Sequence, residues 1–124
     1  MPNRSIREII AHQKVLSAPD TMTVREAAIR MAEAKVGAML ILDHGKLTGI
    51  FTERDMLNRV VAKRLDPDTT PLSQVMTADP RTISADKPLA HALVMMDEGG
   101  YRHVPVMDNG QPVGMVSARD ALGA

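Results

Sequence analysis

Cysteine and tryptophan are absent from this 124-residue chain, and its aromatic side chains are Phe51 and Tyr101. Without cysteine, neither a disulfide framework nor a thiolate metal site is possible. Two aromatics provide no platform on which the bases of a single strand would stack. Fifteen Lys and Arg balance fifteen Asp and Glu, so no overall field draws in a phosphate backbone, and a nucleic-acid partner is not expected. No apolar run approaches the roughly 20 residues of a membrane span. Met1-Pro2-Asn3-Arg4 lacks the apolar segment of a secretory leader, and a soluble cytoplasmic protein is expected. His12, His44, His91 and His103 show no metal-ligand spacing, and no Gly-x-Ser-x-Gly elbow occurs, so neither a metal nor catalysis is expected. Met, Val, Ile, Leu and Ala must build the core, with ten methionines as adaptable filler.

A heptapeptide occurs twice: Gly49-Ile50-Phe51-Thr52-Glu53-Arg54-Asp55 and Gly114-Met115-Val116-Ser117-Ala118-Arg119-Asp120. Each copy ends an apolar run and opens a segment of helical character. A glycine turn is expected to feed a strand whose hydroxyl residue, Thr52 or Ser117, stands at a helix N-terminus. Orphan N–H groups and the positive end of the helix dipole there suit an anion. The same Ser/Thr-x-x-Asp spacing is also an ordinary capping box. The repeat extends further, since residues 23–57 align without a gap on residues 88–122. Identities fall at Ala27/Ala92, Met31/Met96, Glu33/Glu98, Asp43/Asp108, Gly45/Gly110, Gly49/Gly114, Arg54/Arg119, Asp55/Asp120 and Leu57/Leu122. Two halves of one fold follow, each marginal alone at roughly 55 to 60 residues and therefore expected to pack on the other.

Along the chain, Ser5 and Glu8 cap a short amphipathic helix carrying Ile6, Ile9 and Ile10. Val15-Leu16 reads as a brief strand. Thr23-Val24-Arg25-Glu26 opens a helix that runs to about Ala34 and is closed by Gly37. Ala38 to Asp43 and Leu47 to Thr52 read as strands joined at His44-Gly45-Lys46. A helix is expected from Glu53 to about Arg64, with Met56, Leu57, Val60 and Val61 on one face and Arg59, Lys63 and Arg64 on a solvated one. The order then recurs. A strand near Thr82-Ile83 precedes a helix that starts at Pro88 and stops at Gly99-Gly100. A hairpin from Tyr101 to Ser117 turns at Asp108-Asn109-Gly110, and a closing helix runs from Ala118 to Leu122. Pro105 and Pro112 lack donors and are expected at sheet edges or strand ends. The organisation is an N-terminal helix over 1–13, a first repeat over 14–64, a connection over 65–71 and a second repeat over 72–124. Each repeat has the α/β (α+β) order β-α-β-β-α.

That doubled order, the motif at 49–55 and 114–120, and Tyr101-Arg102-His103-Val104-Pro105-Val106-Met107-Asp108 resemble a tandem pair of cystathionine-β-synthase (CBS) domains. The resemblance covers about residues 10 to 124. It implies two pseudo-symmetric repeats packed through their sheets, and two clefts for an adenosine ligand: AMP, ADP, ATP, NAD or S-adenosylmethionine. The motif aspartate would take the ribose hydroxyls, and the Thr or Ser would approach phosphate. By the family pattern the cleft of Ser117 and Asp120 takes Tyr101, Arg102 and His103, with Val15 and Leu16 against adenine. The cleft of Thr52 and Asp55 takes Gly37 and Ala38, with Thr77, Pro80 and Arg81. Arg102 and His103 have Gly37 and Ala38 as counterparts, so the cleft of Ser117 and Asp120 is expected to hold phosphate more tightly. The implied function is regulatory nucleotide sensing without catalysis, acting on a partner protein that the sequence does not name. A structural homodimerisation module with vestigial sites is the alternative. A homodimer is expected through helix faces bearing Met56, Leu57, Val60 and Val61 together with Leu93 and Met96.

Overall fold

In the computed structural model, which describes residues 4–122, the chain forms two compact units. One runs from Leu16 to Pro80; the other joins the segment ending at Val15 to the segment beginning at Arg81. Both are mixed α/β, each with its own sheet. Packing thus cuts across the order of the repeats. The N-terminal helix α1 (Ile6–Ile10) belongs with the second repeat, while residues 72–80 belong with the first.

In the Leu16–Pro80 unit the sheet order is β1 (Ser17–Ala18), β2 (Ala38–Asp43), β3 (Lys46–Thr52), β4 (Thr77–Ala78). The first strand lies two residues beyond the apolar pair expected to form it. Parallel pairing of Ser17 with Leu40 and Ala18 with Ile41 fixes its place, and Leu16 contributes its carbonyl to Leu40 N–H at 2.9 Å. His44 and Gly45 both have positive φ (50° and 82°), the requirement of the two-residue turn that matches strand twist.

Helix α2 (Val24–Ala34) starts as read, with Thr23 Oγ1 accepting from Glu26 N–H. It ends at Ala34 as read, but it is Lys35 rather than Gly37 that closes it: Lys35, at φ 58°, takes the left-handed position, and Lys35 N–H and Val36 N–H close onto Ala32 O and Met31 O. Gly37 has a different use, because a Cβ there would lie 2.9 Å from Glu53 Oε1. Residues 65–71, expected as the connection, fold onto the start of α2, where Thr70 O and Pro67 O accept from Val24 and Arg25 N–H. Arg25 and Asp68 add an exposed ion pair at 2.7 Å. That hydrogen bond raises the Arg25 pKa and lowers that of Asp68. The core of this unit gathers Val24, Ala27, Met31, Met39, Ile41, Phe51 and Val60, with Leu72 and Val75 from the short 3-10 turn Leu72–Gln74 and its end.

The helix expected from Glu53 to Arg64 is only α-helical at α3 (Glu53–Asp55) and continues as a π-helix over Met56–Val61. Ala62 N–H reaches back five residues to Leu57 O. The expected single apolar face is accordingly split. Val60 is buried, while Leu57 and Val61 are 61% and 65% exposed.

The other unit orders its sheet β5 (Ile83–Ser84), β6 (His103–Asp108), β7 (Gln111–Ser117), with Asn109 and Gly110 at φ 52° and 76° in the hairpin turn. Helix α4 (Leu89–Gly99) has Pro88 as its N-cap rather than its first residue and stops at left-handed Gly100. Met96, expected on an outer face, is core. Pro105 is buried on the central strand rather than at an edge. It faces Met115, whose backbone N–H and C=O are both taken by the Gln13 side chain. The missing Pro105 donor therefore breaks no rung with β7. Arg7 on α1 bonds Asp86 at 2.7 Å and Asp108 at 3.1 Å, and these bonds raise its pKa.

Candidate nucleotide-binding motifs

Both motif copies sit at the end of a hairpin's second strand, and their glycines lie within the strand rather than at a turn. What each glycine admits is a neighbouring segment. A Cβ on Gly49 would lie 2.7 Å from Met76 Sδ and 3.0 Å from Thr77 O, where β4 pairs Ala78 with Gly49 and Thr77 with Ile50. A Cβ on Gly114 would lie 2.6 Å from Ile10 Cγ2 and 2.9 Å from Gln13 Oε1. Gln13, which sequence reading passed over, takes the place of a fourth strand: it holds Met115 as β4 holds Ile50, the residue at the same repeat position.

At both strand ends the motif carboxylate accepts from the backbone and hydroxyl of its own Thr or Ser. Thr52 N–H and Oγ1 donate to Asp55 Oδ2 at 3.0 and 3.1 Å, and Asp55 N–H returns to Thr52 Oγ1 at 3.2 Å. Ser117 N–H and Oγ donate to Asp120 Oδ2 at 2.7 and 3.4 Å. The next amide in each copy turns to the loop before the hairpin: Glu53 N–H donates to Gly37 O, and Ala118 N–H to Arg102 O, both at 2.9 Å. Gly37 and Arg102 are thus structural equivalents. Ala38 pairs with Thr52, and His103 with Ser117.

The capping reading is realised in full for Thr52 and Asp55, and it alters the anion argument there. Several first-turn donors are satisfied internally. In the second copy the following helix is the short 3-10 turn Ala118–Leu122, so little dipole accumulates there, whereas in the first α3 runs on into the π-helix Met56–Val61. The carboxylates offer more. Each spends one oxygen on the cap and keeps lone pairs on the other, the acceptor a vicinal diol requires.

The remaining expected residues divide by unit. Leu16, Gly37, Ala38, Thr77 and Pro80 share the unit of Thr52 and Asp55; Val15, Arg81, Tyr101, Arg102 and His103 share that of Ser117 and Asp120. Tyr101 packs on the core of its unit and lies against Gly99. Its hydroxyl is buried with no hydrogen-bond partner among the described residues. Arg59 is on a solvated face as expected, its side chain about half exposed, and it also makes structural bonds. Its Nη1 donates to Met76 O at 2.9 Å and Val75 O at 3.3 Å, and its Nε lies 3.5 Å from Asp55 Oδ1. The i, i+4 spacing of Asp55 and Arg59 was the available signal.

Among the described residues no cluster of three His, Asp or Glu is placed to hold a metal ion, and no helix is long and apolar enough to cross a membrane.

The CBS domain family profile matches residues 6–62 and 72–124. A CBS domain-containing protein of Arabidopsis thaliana is 39% identical over 110 residues, a stretch covering 88% of this chain and 20% of the Arabidopsis protein. This chain thus spans about a fifth of that relative's length. A CBS domain protein from Pyrobaculum aerophilum, solved in complex with AMP, superposes with a TM-score of 0.87 at 30% identity, covering 98% of this chain and 92% of that one. A CBS domain pair solved with 5′-methylthioadenosine and S-adenosyl-L-methionine gives a TM-score of 0.85 at 26% identity, covering 98% and 94%.

Proposed function

This chain belongs to the CBS domain family, and from that premise we propose that it is a regulatory module that binds an adenosine-containing ligand and has no catalysis of its own. The observation that carries the reading is the paired motif. Thr52 with Asp55, and Ser117 with Asp120, occupy the same strand-end position beside the same loop carbonyl in two separately folded units. In each, the carboxylate oxygen not used by the cap accepts from the ribose hydroxyls, and the Thr or Ser hydroxyl lies toward phosphate. Arg102 and His103 supply cationic and polar groups on the Ser117 side. Tyr101 brings a buried hydroxyl whose hydrogen bond a ligand would complete. Thr77, Pro80 and Arg81, with Val15 and Leu16, complete the two candidate ligand sets with Gly37 and Ala38. The AMP, methylthioadenosine and S-adenosylmethionine complexes of the related proteins support the ligand class. ADP, ATP and NAD share its adenosine end.

The module acts through a partner that it regulates, in the cytoplasm, and as a homodimer. Exposed Leu57 and Val61 are the apolar surface that supports self-association. A purely structural dimerisation role is the second reading, favoured by the internally satisfied capping box of Thr52 and Asp55. Thermal shift with AMP, ADP, ATP, NAD and S-adenosylmethionine separates the two. A ligand at a hundred times its dissociation constant stabilises the fold by about 2.7 kcal/mol. A flat response to all five leaves only the structural role.

A further inference from the structure

Asp55 and Asp120 hold the same place in the repeat, and among the described residues a guanidinium, that of Arg59, is placed beside Asp55. Asp55 is 8% exposed, one of two buried polar residues among those described. Its Oδ2 is spent on Thr52 N–H and Oγ1, and its Oδ1, the oxygen left for a ligand, faces Arg59 Nε at 3.5 Å. Arg59 is not a loose surface side chain at that point. Its Nη1 is anchored on two backbone carbonyls, Met76 O and Val75 O, just ahead of β4, and it springs from the π-helix directly after the motif. The two carbonyls bonded to Nη1 hold the half-exposed guanidinium beside the carboxylate. The repeat places Ala124 opposite Arg59, so the second motif has no charged side chain at this position.

We propose that Arg59 is a gate on the Thr52–Asp55 site: it occupies the free carboxylate oxygen in the empty protein, and a ribose diol must displace it to bind. The inference rests on the nucleotide-binding reading of the motif. The guanidinium at 3.5 Å competes with a diol for that oxygen, and the diol's hydrogen bonds to the carboxylate reach full strength only once Arg59 moves away. The Ser117–Asp120 site carries no such requirement. The two sites therefore fill in order, Asp120 first and Asp55 only at higher ligand concentration. The displaced Arg59 releases the carbonyls of Val75 and Met76, so occupancy of the second site is reported to the segment leading into β4.

The test is calorimetric titration of the whole chain with AMP, using Asp120→Asn to isolate the Asp55 site. Arg59→Gln is then added, because glutamine retains a donor for the carbonyls of Val75 and Met76 while removing the charge from Asp55. Asp120→Asn/Arg59→Gln is expected to bind AMP about tenfold more tightly than Asp120→Asn alone. Arg59→Lys is expected to fall between them, and it serves as the comparison should the glutamine variant melt early by circular dichroism. Equal or weaker affinity on removing Arg59 overturns the gate while leaving the nucleotide reading intact. No AMP binding by the unmodified chain or any variant removes the reading, and the gate with it.

Discussion

Gln13 and Met115 are joined at both ends of one amide: Gln13 Nε2 donates to Met115 O at 2.7 Å, and Gln13 Oε1 accepts from Met115 N–H at 2.8 Å. A side chain from the segment after α1 thus completes an edge that β4 completes in the other unit. Gln13→Ala leaves both Met115 groups without this partner. The expected loss is about 1 to 3 kcal/mol of stability, read as a lower denaturation midpoint in urea with an unchanged slope. Gln13→Glu, which keeps the acceptor and loses the donor, is expected to retain part of it. No change in either variant would show that water replaces the contact.

Gly114→Ala forces a methyl group to within 2.6 Å of Ile10 Cγ2. Ile10 is a branched side chain on a packed helix, so the clash is relieved only by shifting α1. A cost of about 1 to 3 kcal/mol is expected, with a large part recovered in Gly114→Ala/Ile10→Ala, since the two sites are in contact and their effects do not add. Strict additivity in this double-mutant cycle would contradict the contact.

Asp68 titrates below its ordinary value of 3.8 because Arg25 hydrogen-bonds its carboxylate. A depressed folded-state pKa means that the native protein favours the ionised form. The contribution is therefore present above pH 3.8 and fades as pH falls through the lower folded value. Both partners are more than half exposed, so the effect is small and weakened by salt. Thermal melts of Asp68→Asn are expected to run below those of the unmodified chain at neutral pH and to converge with them under strongly acid conditions. A gap that widens on acidification would contradict this.

Much of the fold was legible because it is written in local rules. Ser5 and Thr23 cap the helices they were read to cap. His44-Gly45 and Asn109-Gly110 supply the positive φ pairs of the two hairpins. What escaped depends on contacts between residues far apart in sequence. Nothing local in Leu72 or Val75 says that they enter the core of the first repeat, nor in Ile6 that it joins the core of the second. The motif glycines were read as turns, because the segments they admit arrive from outside the repeat in one case and beyond the linker in the other. Lys35 rather than Gly37 ends α2, since a lysine at positive φ is a minority choice that glycine's proximity obscured. The π-helix after Asp55 shifts the period that a 3.6-residue reading assumes, so Leu57 and Val61 were placed with Val60 on a single face. In the candidate site, the hydroxyl–carboxylate pairs could be read from spacing alone. For Arg59 only the i, i+4 spacing to Asp55 was legible, because its other anchors are backbone carbonyls of Val75 and Met76, which carry no sequence signature.

The most direct test of the central claim is calorimetric titration of the chain with AMP, set beside the Asp55→Asn/Asp120→Asn double variant. Asparagine keeps an acceptor for the Thr52 and Ser117 caps, so the fold should persist, while the carboxylate that takes the diol is lost in both repeats. The account predicts saturable AMP binding by the unmodified chain and its loss in the folded double variant. Equal AMP binding by the two proteins would contradict it.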